Sequence, residues 1–160
     1  DSCIPIINFN CLKKKIFKED KSIIHFKHQN NKLNRYQQLH PLLKQKLSFK
    51  YFYCQHQWML LKRDIVEQIL SFDLTHYYSR MGVPDEHYFI NLIFLLNLQD
   101  RILNKKMTYC NWDNCVMHPK SYENINPNLL QNCIQNDFFF FRKITSNFRL
   151  TPFFYKLICI

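Results

Sequence analysis

An α/β fold follows from the alternation of two kinds of segment, and composition bounds what it can be. Short apolar runs of strand length alternate with segments whose apolar residues recur at helical spacing. Hydrophobic residues make up 47% of the 160, and aromatics 16%, which is enough apolar surface for one core and excludes a disordered chain. There is a single glycine, so neither a Walker loop nor a GxGxxG turn can be built around Gly82.

The elements are read in chain order. Residues 3–9 form a short buried segment containing Pro5. Leu12, Ile16 and Phe17 then share one face of a helix whose other face carries Lys13, Lys14 and Lys15. Residues 22–26 suit a strand, and the basic, polar stretch 29–47 with Pro41 reads as a long loop or irregular helix. The run Trp58-Met59-Leu60-Leu61 predicts a buried strand. Asp64 followed by Glu67 resembles a capping box for a helix that buries Ile65, Val66, Ile69 and Leu70 and ends near Phe72.

After a loop at 77–83, Pro84-Asp85-Glu86 opens a second helix. Proline suits its first position, carboxylates its first turn, and Phe89, Leu92, Ile93 and Leu96 its buried face. Residues 107–112 read as a strand and 114–136 as loop. The aromatic run 138–141 is a buried strand stopped by Arg142-Lys143, and 153–160 is an apolar tail. The longest apolar stretch, 88–98, is interrupted by Asn91 and Asn97 and falls short of the roughly 20 residues a membrane helix needs. No basic segment followed by an apolar run opens the sequence, so no signal peptide is read.

The net charge is +10. Part of it reflects coding bias: Lys, Asn, Ile, Phe and Tyr are abundant, while alanine is absent. That weakens a nucleic-acid reading based on charge alone. The seven cysteines are odd in number and do not decide the redox compartment, and no Asn-x-Ser/Thr acceptor occurs.

Four groupings could carry chemistry. Glu86, at the head of a helix, would be held ionised by backbone N–H groups, the state a general base requires; the alternative is plain helix-end complementarity. Arg142 and Lys143 could hold a diphosphate or form a solvated strand end. Cys110, Cys115 and His118 have the spacing of three zinc ligands without a fourth, against a Cys110–Cys115 disulfide or two free thiols. Aromatic and basic residues between 44 and 53 could stack on single-stranded nucleic acid or be buried rings beside lysine stems.

The series Asp1-Ser2-Cys3-Ile4-Pro5-Ile6, Asn34-Arg35-Tyr36, Gln57-Trp58-Met59-Leu60-Leu61-Lys62-Arg63, Pro84-Asp85-Glu86-His87-Tyr88, Asn111-Trp112-Asp113, His118-Pro119-Lys120-Ser121-Tyr122 and Phe140-Phe141-Arg142-Lys143-Ile144 resembles the core-2/I-branching β-1,6-N-acetylglucosaminyltransferases. Their plant and bacterial relatives and the peptide xylosyltransferases share the pattern. The resemblance runs from Asp1 to about Asn147. It implies a GT-A-like fold and an inverting enzyme that moves a sugar, GlcNAc first and xylose next, from a UDP-sugar to a glycan or protein hydroxyl. No metal cofactor is implied, and no Asp-x-Asp occurs in the chain.

By the same resemblance Glu86 is the catalytic base, Lys143 and Arg142 contact the diphosphate, and Trp112 contacts the acceptor, with Arg35 near its groove. The family setting is the Golgi membrane, with any anchor outside these residues. Two departures stand out. The family's Gly-Ser-Gln-Trp is Gln55-His56-Gln57-Trp58 here, and no second arginine lies between Trp112 and Arg142. Residues 1–147 are read as the C-terminal part of a catalytic domain whose uridine-binding half precedes it, and 148–160 as its tail. The rival readings are a small basic module for nucleic acid or another polyanion, and a non-catalytic remnant of the transferase. The fragment reading carries an expected outcome: these residues alone bind UDP weakly, and isothermal titration that gives tight binding contradicts it.

Overall fold

The computed structural model describes residues 2–28, 32–113 and 118–159. In chain order come β1 (Ser2–Pro5), α1 (Phe9–Lys18), β2 (Ser22–Lys27), α2 (Lys32–Gln37), α3 (Pro41–Lys46), β3 (Cys54–Leu60) and α4 (Arg63–Leu70). They are followed by α5 (Tyr88–Leu95), β4 (Ile102–Leu103), β5 (Thr108–Cys110), α6 (Pro127–Gln135), β6 (Phe140–Ile144) and α7 (Pro152–Cys159). Single 3₁₀ turns lie at Phe49–Tyr51, Thr75–Tyr78, Pro84–Glu86 and Gln99–Arg101. The chain is therefore mixed α/β, as the sequence predicts, with two small sheets in two compact units.

The first unit comprises Asp1–Glu19 and Lys106–Ile160. Its sheet has the order β1-β6-β5, with β6 central, antiparallel to β1 and parallel to β5. Phe141 is fully buried, stacked on Tyr109 at 5.0 Å and edge-on to Tyr122 at 5.0 Å. The strand differs from the expected one: it begins at Phe140, midway through the aromatic run, and continues through Arg142 and Lys143 to Ile144 instead of stopping at them, so the cations lie within a central strand whose neighbours cover the large rings.

Helix α1 is present where its periodicity places it. Its Asn8 side chain accepts from the Asn10 N–H, but none of its residues is buried and Phe17 is 71% exposed. Only Leu12 and Ile16 are half-covered. The stretch 114–136, read as loop, contains α6. Asn126 caps that helix, Pro127 occupies its first turn, and Leu130 and Cys133 are buried. The tail is a helix that buries Phe154 and leaves Phe153 and Tyr155 exposed.

The second unit is Asp20–Lys105, with sheet order β3-β2-β4, antiparallel then parallel. One apolar cluster joins Ile24, Ile65, Ile69, Ile90, Leu92 and Ile93; another joins Leu39, Leu43, Leu47, Phe52, Tyr78 and Met81. Segment 29–47, read as loop or irregular helix, supplies two short helices, α2 and α3, and Leu43 of α3 is buried.

Three further expectations are corrected. The strand containing Trp58 begins four residues earlier, at Cys54, and Trp58 is 39% exposed rather than buried. Helix α4 has no capping box. Its N-cap is Lys62, Asp64 pairs with Arg101, Glu67 lies 3.9 Å from Arg63, and Leu70 is exposed. Nor does Pro84 open an α-helix: residues Pro84–Glu86 form a 3₁₀ turn, and α5 begins at Tyr88 with Ile90, Asn91, Leu92 and Ile93 buried.

Candidate functional site

In the second unit, Glu86 ends the 3₁₀ turn and is half-buried, while Asp85 beside it is exposed. The turn is entered through Val83, whose φ of 55° is left-handed. A β-branched residue in that region costs roughly 1–3 kcal/mol and persists only where surrounding contacts impose it. Those contacts come from β3. The Gln55 amide donates to the Asp85 carbonyl at 3.1 Å, and its oxygen accepts from the Ile90 N–H at 2.6 Å. Gln57 reaches the Asp85 carboxylate.

Ile90 N–H is one of the orphan donors of the first turn of α5, and the N-cap His87 offers it no side chain. Gln55, 2% exposed, therefore caps that helix across 35 residues and pins the Glu86 turn with the same amide. The register explains its reach. Ile24 pairs with Met59 but Phe26 with Gln55, so β3 bulges over His56, Gln57 and Trp58. The segment that lacks the family's glycine is a bulged strand here, not a tight turn.

The Cys54 thiol donates to Glu86 Oε2 at 3.7 Å. Burial, and then the neighbouring Glu86 carboxylate, push this thiol up to about 12, so it stays protonated and acts as a donor at neutral pH. Arg35, on α2, donates to the Gly82 carbonyl, and its guanidinium acts electrostatically on both Cys54 and His87. A Cβ at Gly82 would stand 2.6 Å from Arg35 Nη1, the far end of a flexible side chain, so a larger residue there would displace the Arg35 guanidinium from the Gly82 carbonyl.

His87 is 1% exposed and stacks on Phe52 at 4.7 Å. Its Nδ1 lies 2.8 Å from the Tyr53 carbonyl, which can only accept, so the ring proton resides on Nδ1. Asn91 grips the same residue: its oxygen accepts from the Tyr53 N–H at 2.9 Å, and its amide donates to the Tyr53 carbonyl at 3.0 Å. Burial, and to a lesser extent Arg35, hold His87 below the ordinary histidine range, against the raising effects of the Tyr53 bond and Asp85.

In the first unit, Arg142 pairs with Cys3 of β1 on one side and Cys110 of β5 on the other, so the three residues form one row across the sheet. Burial, then Cys110, push the Cys3 thiol up to about 11 against the pull of Arg142; burial raises Cys110 as well. Lys143 is the extra residue of a bulge, because Ser2 pairs with Ile144 while Cys3 pairs with Arg142. Past that bulge β6 takes a new neighbour. The Tyr122 N–H donates to the Lys143 carbonyl at 2.9 Å, and the Thr145 N–H to the Tyr122 carbonyl at 3.0 Å. A bulge next to a cation changes where its side chain is aimed.

Trp112 is 49% exposed and stands at the tip of an Asn111 turn, where the Asn111 oxygen accepts from the Asp113 N–H at 2.7 Å. The core alternative for this ring is thereby removed. Cys110 is a free thiol and Cys115 lies outside the described residues; among those described, no group of three His, Cys, Asp or Glu side chains is arranged to hold a metal. Lys15 pairs with Asp137, and Lys44 donates to the Gln37 carbonyl at 2.7 Å.

The structure therefore gathers Glu86 and Arg35 in the second unit, and Arg142, Lys143 and Trp112 in the first. Cys54, Gln55, Gln57 and Asn91 are positioning groups that the sequence reading did not single out. Alternation along residues 54–57 places Gln55 and Gln57 on one face of a strand, which is the only local sign of their shared target.

The second unit thus carries a half-buried carboxylate on a clamped turn, and the first carries two adjacent cations and an exposed ring. A family model described as Branch, Core-2/I-Branching enzyme, matches residues 1–134, and the chain belongs to that family. The match includes Arg35, Glu86 and Trp112 and ends before Arg142 and Lys143. No curated protein matches the chain. No helix among the described residues is long and apolar enough to cross a membrane.

Two outcomes follow. Gln55→Ala leaves the Ile90 N–H and Asp85 carbonyl unpaired and lowers unfolding free energy by about 1–3 kcal/mol in urea denaturation. His87 has a folded pKa below its unfolded value of 6.5, so its contribution is whole above 6.5 and is lost as pH falls from there toward the folded pKa. Melting temperature should drop between neutral pH and pH values below 6.5, and the slope should flatten in His87→Asn; an unchanged slope in the variant counts against this assignment.

Proposed function

We propose that the protein is a GT-A-like, inverting glycosyltransferase that moves a sugar from a UDP-sugar to a glycan or protein hydroxyl without a metal cofactor. Residues 1–147 are its catalytic portion, and the setting is the Golgi membrane system of its family. GlcNAc is the first candidate donor sugar and xylose the second. The observation that carries this reading is Glu86 itself. Inside the family-matched residues, it is half-buried on a strained turn clamped from β3 and accepts a thiol hydrogen bond.

In the proposed reaction the Glu86 carboxylate accepts the proton of the acceptor hydroxyl as that oxygen attacks the anomeric carbon. One C–O bond forms on one face while the bond to the diphosphate breaks on the other. Configuration inverts, and UDP leaves with the bonding electron pair. Arg142 and Lys143 offset the charge that develops on the leaving diphosphate; fixed cations do this most effectively where water is excluded. The exposed Trp112 ring offers an apolar face to a pyranose, and Arg35 stands on the acceptor side. The buried, protonated Cys54 keeps one oxygen of Glu86 oriented, leaving the other to take the proton.

The test is UDP release by the full reading frame over a panel of UDP-sugars. Glu86→Gln keeps the shape but cannot accept a proton, and turnover should fall by about 10²-fold or more. Lys143→Ala should cost roughly 10²-fold in kcat, as loss of one transition-state charge contact does. Wild-type turnover in Glu86→Gln would overturn the assignment.

A further inference from the structure

A surface hollow of the second unit lies between α2, the start of α3 and the 3₁₀ turn at Thr75–Tyr78. Lys44, Arg80, His40 and His76 line it, and no carboxylate does. Lys44 is held in place by its bond to the Gln37 carbonyl at 2.7 Å and keeps two further ammonium protons to donate. Asp73 acts electrostatically on His76 but is engaged by the N–H and the hydroxyl of Thr75, at 3.0 and 2.6 Å. A concave surface with two permanent cations and two imidazoles, and no counter-charge in its lining, attracts an anion.

The rest of the lining says which kind. Gln37 and Gln38 both donate and accept, and Ser79 adds a hydroxyl, a set suited to a polyol. The Tyr77 ring lies 3.8 Å from that of His76 and 5.2 Å from that of His40, giving an aromatic wall. The hollow is also tied to the Glu86 turn. Gln38 accepts from the Gly82 N–H at 3.0 Å, the Gly82 carbonyl accepts from Arg35, and Gly82 lies two residues before Pro84.

We infer that this hollow is a subsite for an anionic sugar of the acceptor, one that carries a carboxylate or a sulfate ester. The inference rests on the transferase reading only in calling the ligand an acceptor; the binding itself does not depend on turnover.

The experiment titrates the full chain with four probes: a glucuronate-containing disaccharide, its neutral methyl ester, an O-sulfated disaccharide and its unsulfated counterpart. At least one charged probe should bind about tenfold or more tighter than its neutral partner, a difference that shrinks as salt rises. Which pair shows it identifies carboxylate or sulfate as the recognised group. Lys44→Ala with Arg80→Ala should abolish the preference, and so should Arg80→Glu alone, each variant first shown by circular dichroism to be folded. Lys13→Ala with Lys14→Ala should keep it. Equal binding of charged and neutral probes, or equal loss in the Lys13/Lys14 pair, overturns the inference. Glu86→Gln separates the two readings: it should keep the preference while UDP release falls. Loss of transfer without any preference leaves the catalytic assignment standing and removes only the subsite.

Discussion

Gln55 carries the constraint on which the candidate base depends. Its side chain is almost wholly buried, and both ends of its amide are used, one on the Asp85 carbonyl and one on the Ile90 N–H. A buried amide is costly unless its groups are paired, so strand, turn and helix must hold one arrangement together. That requirement keeps Val83 in a backbone region it would otherwise avoid and presents Glu86 at the end of a turn instead of inside a helix. His87 at the N-cap of α5 and Asn91 next to Ile90 repeat the device by converging on the Tyr53 backbone.

The chemistry around Glu86 is graded by burial. His87 is neutral and internal, Cys54 is a protonated donor, Glu86 is half-open, and Asp85 lies outside. A base needs this intermediate position: buried deeper its charged form would be penalised, and fully exposed it would be screened and unaligned. In the first unit the cations gain definition from the sheet. Arg142 is confined between two strands, and Lys143 is placed by a bulge at the point where Tyr122 succeeds β5 as the parallel neighbour of β6.

Much of the local structure was legible. Apolar spacing located α1, α4 and α5, and the β-rich runs located β2, β3 and β6, because period and propensity act over a few residues. The misreadings have a common cause. Segment 29–47 reads as loop or irregular helix and 114–136 as loop because polar, proline-containing helices show little periodicity, yet Pro41 and Pro127 lie in the first turns of α3 and α6, where proline is welcome. Asp64 was read as a cap because its spacing to Glu67 fits one, but Arg101, 37 positions away, takes its carboxylate. Trp58 was read as core because an apolar run cannot show which face of a half-covered strand meets solvent.

The amino-acid sequence by itself determined the α/β class and the family, and it nominated Glu86, Arg35, Arg142, Lys143 and Trp112 as candidates, since these depend on which residues occur in which order. Only the tertiary structure decided that Gln55 caps α5, that Cys54 donates to Glu86, that Arg142 stands between two thiols and that Lys44 and Arg80 share a hollow. Each of those facts joins residues from different elements, and such contacts follow from strand register and burial, quantities that no local pattern encodes.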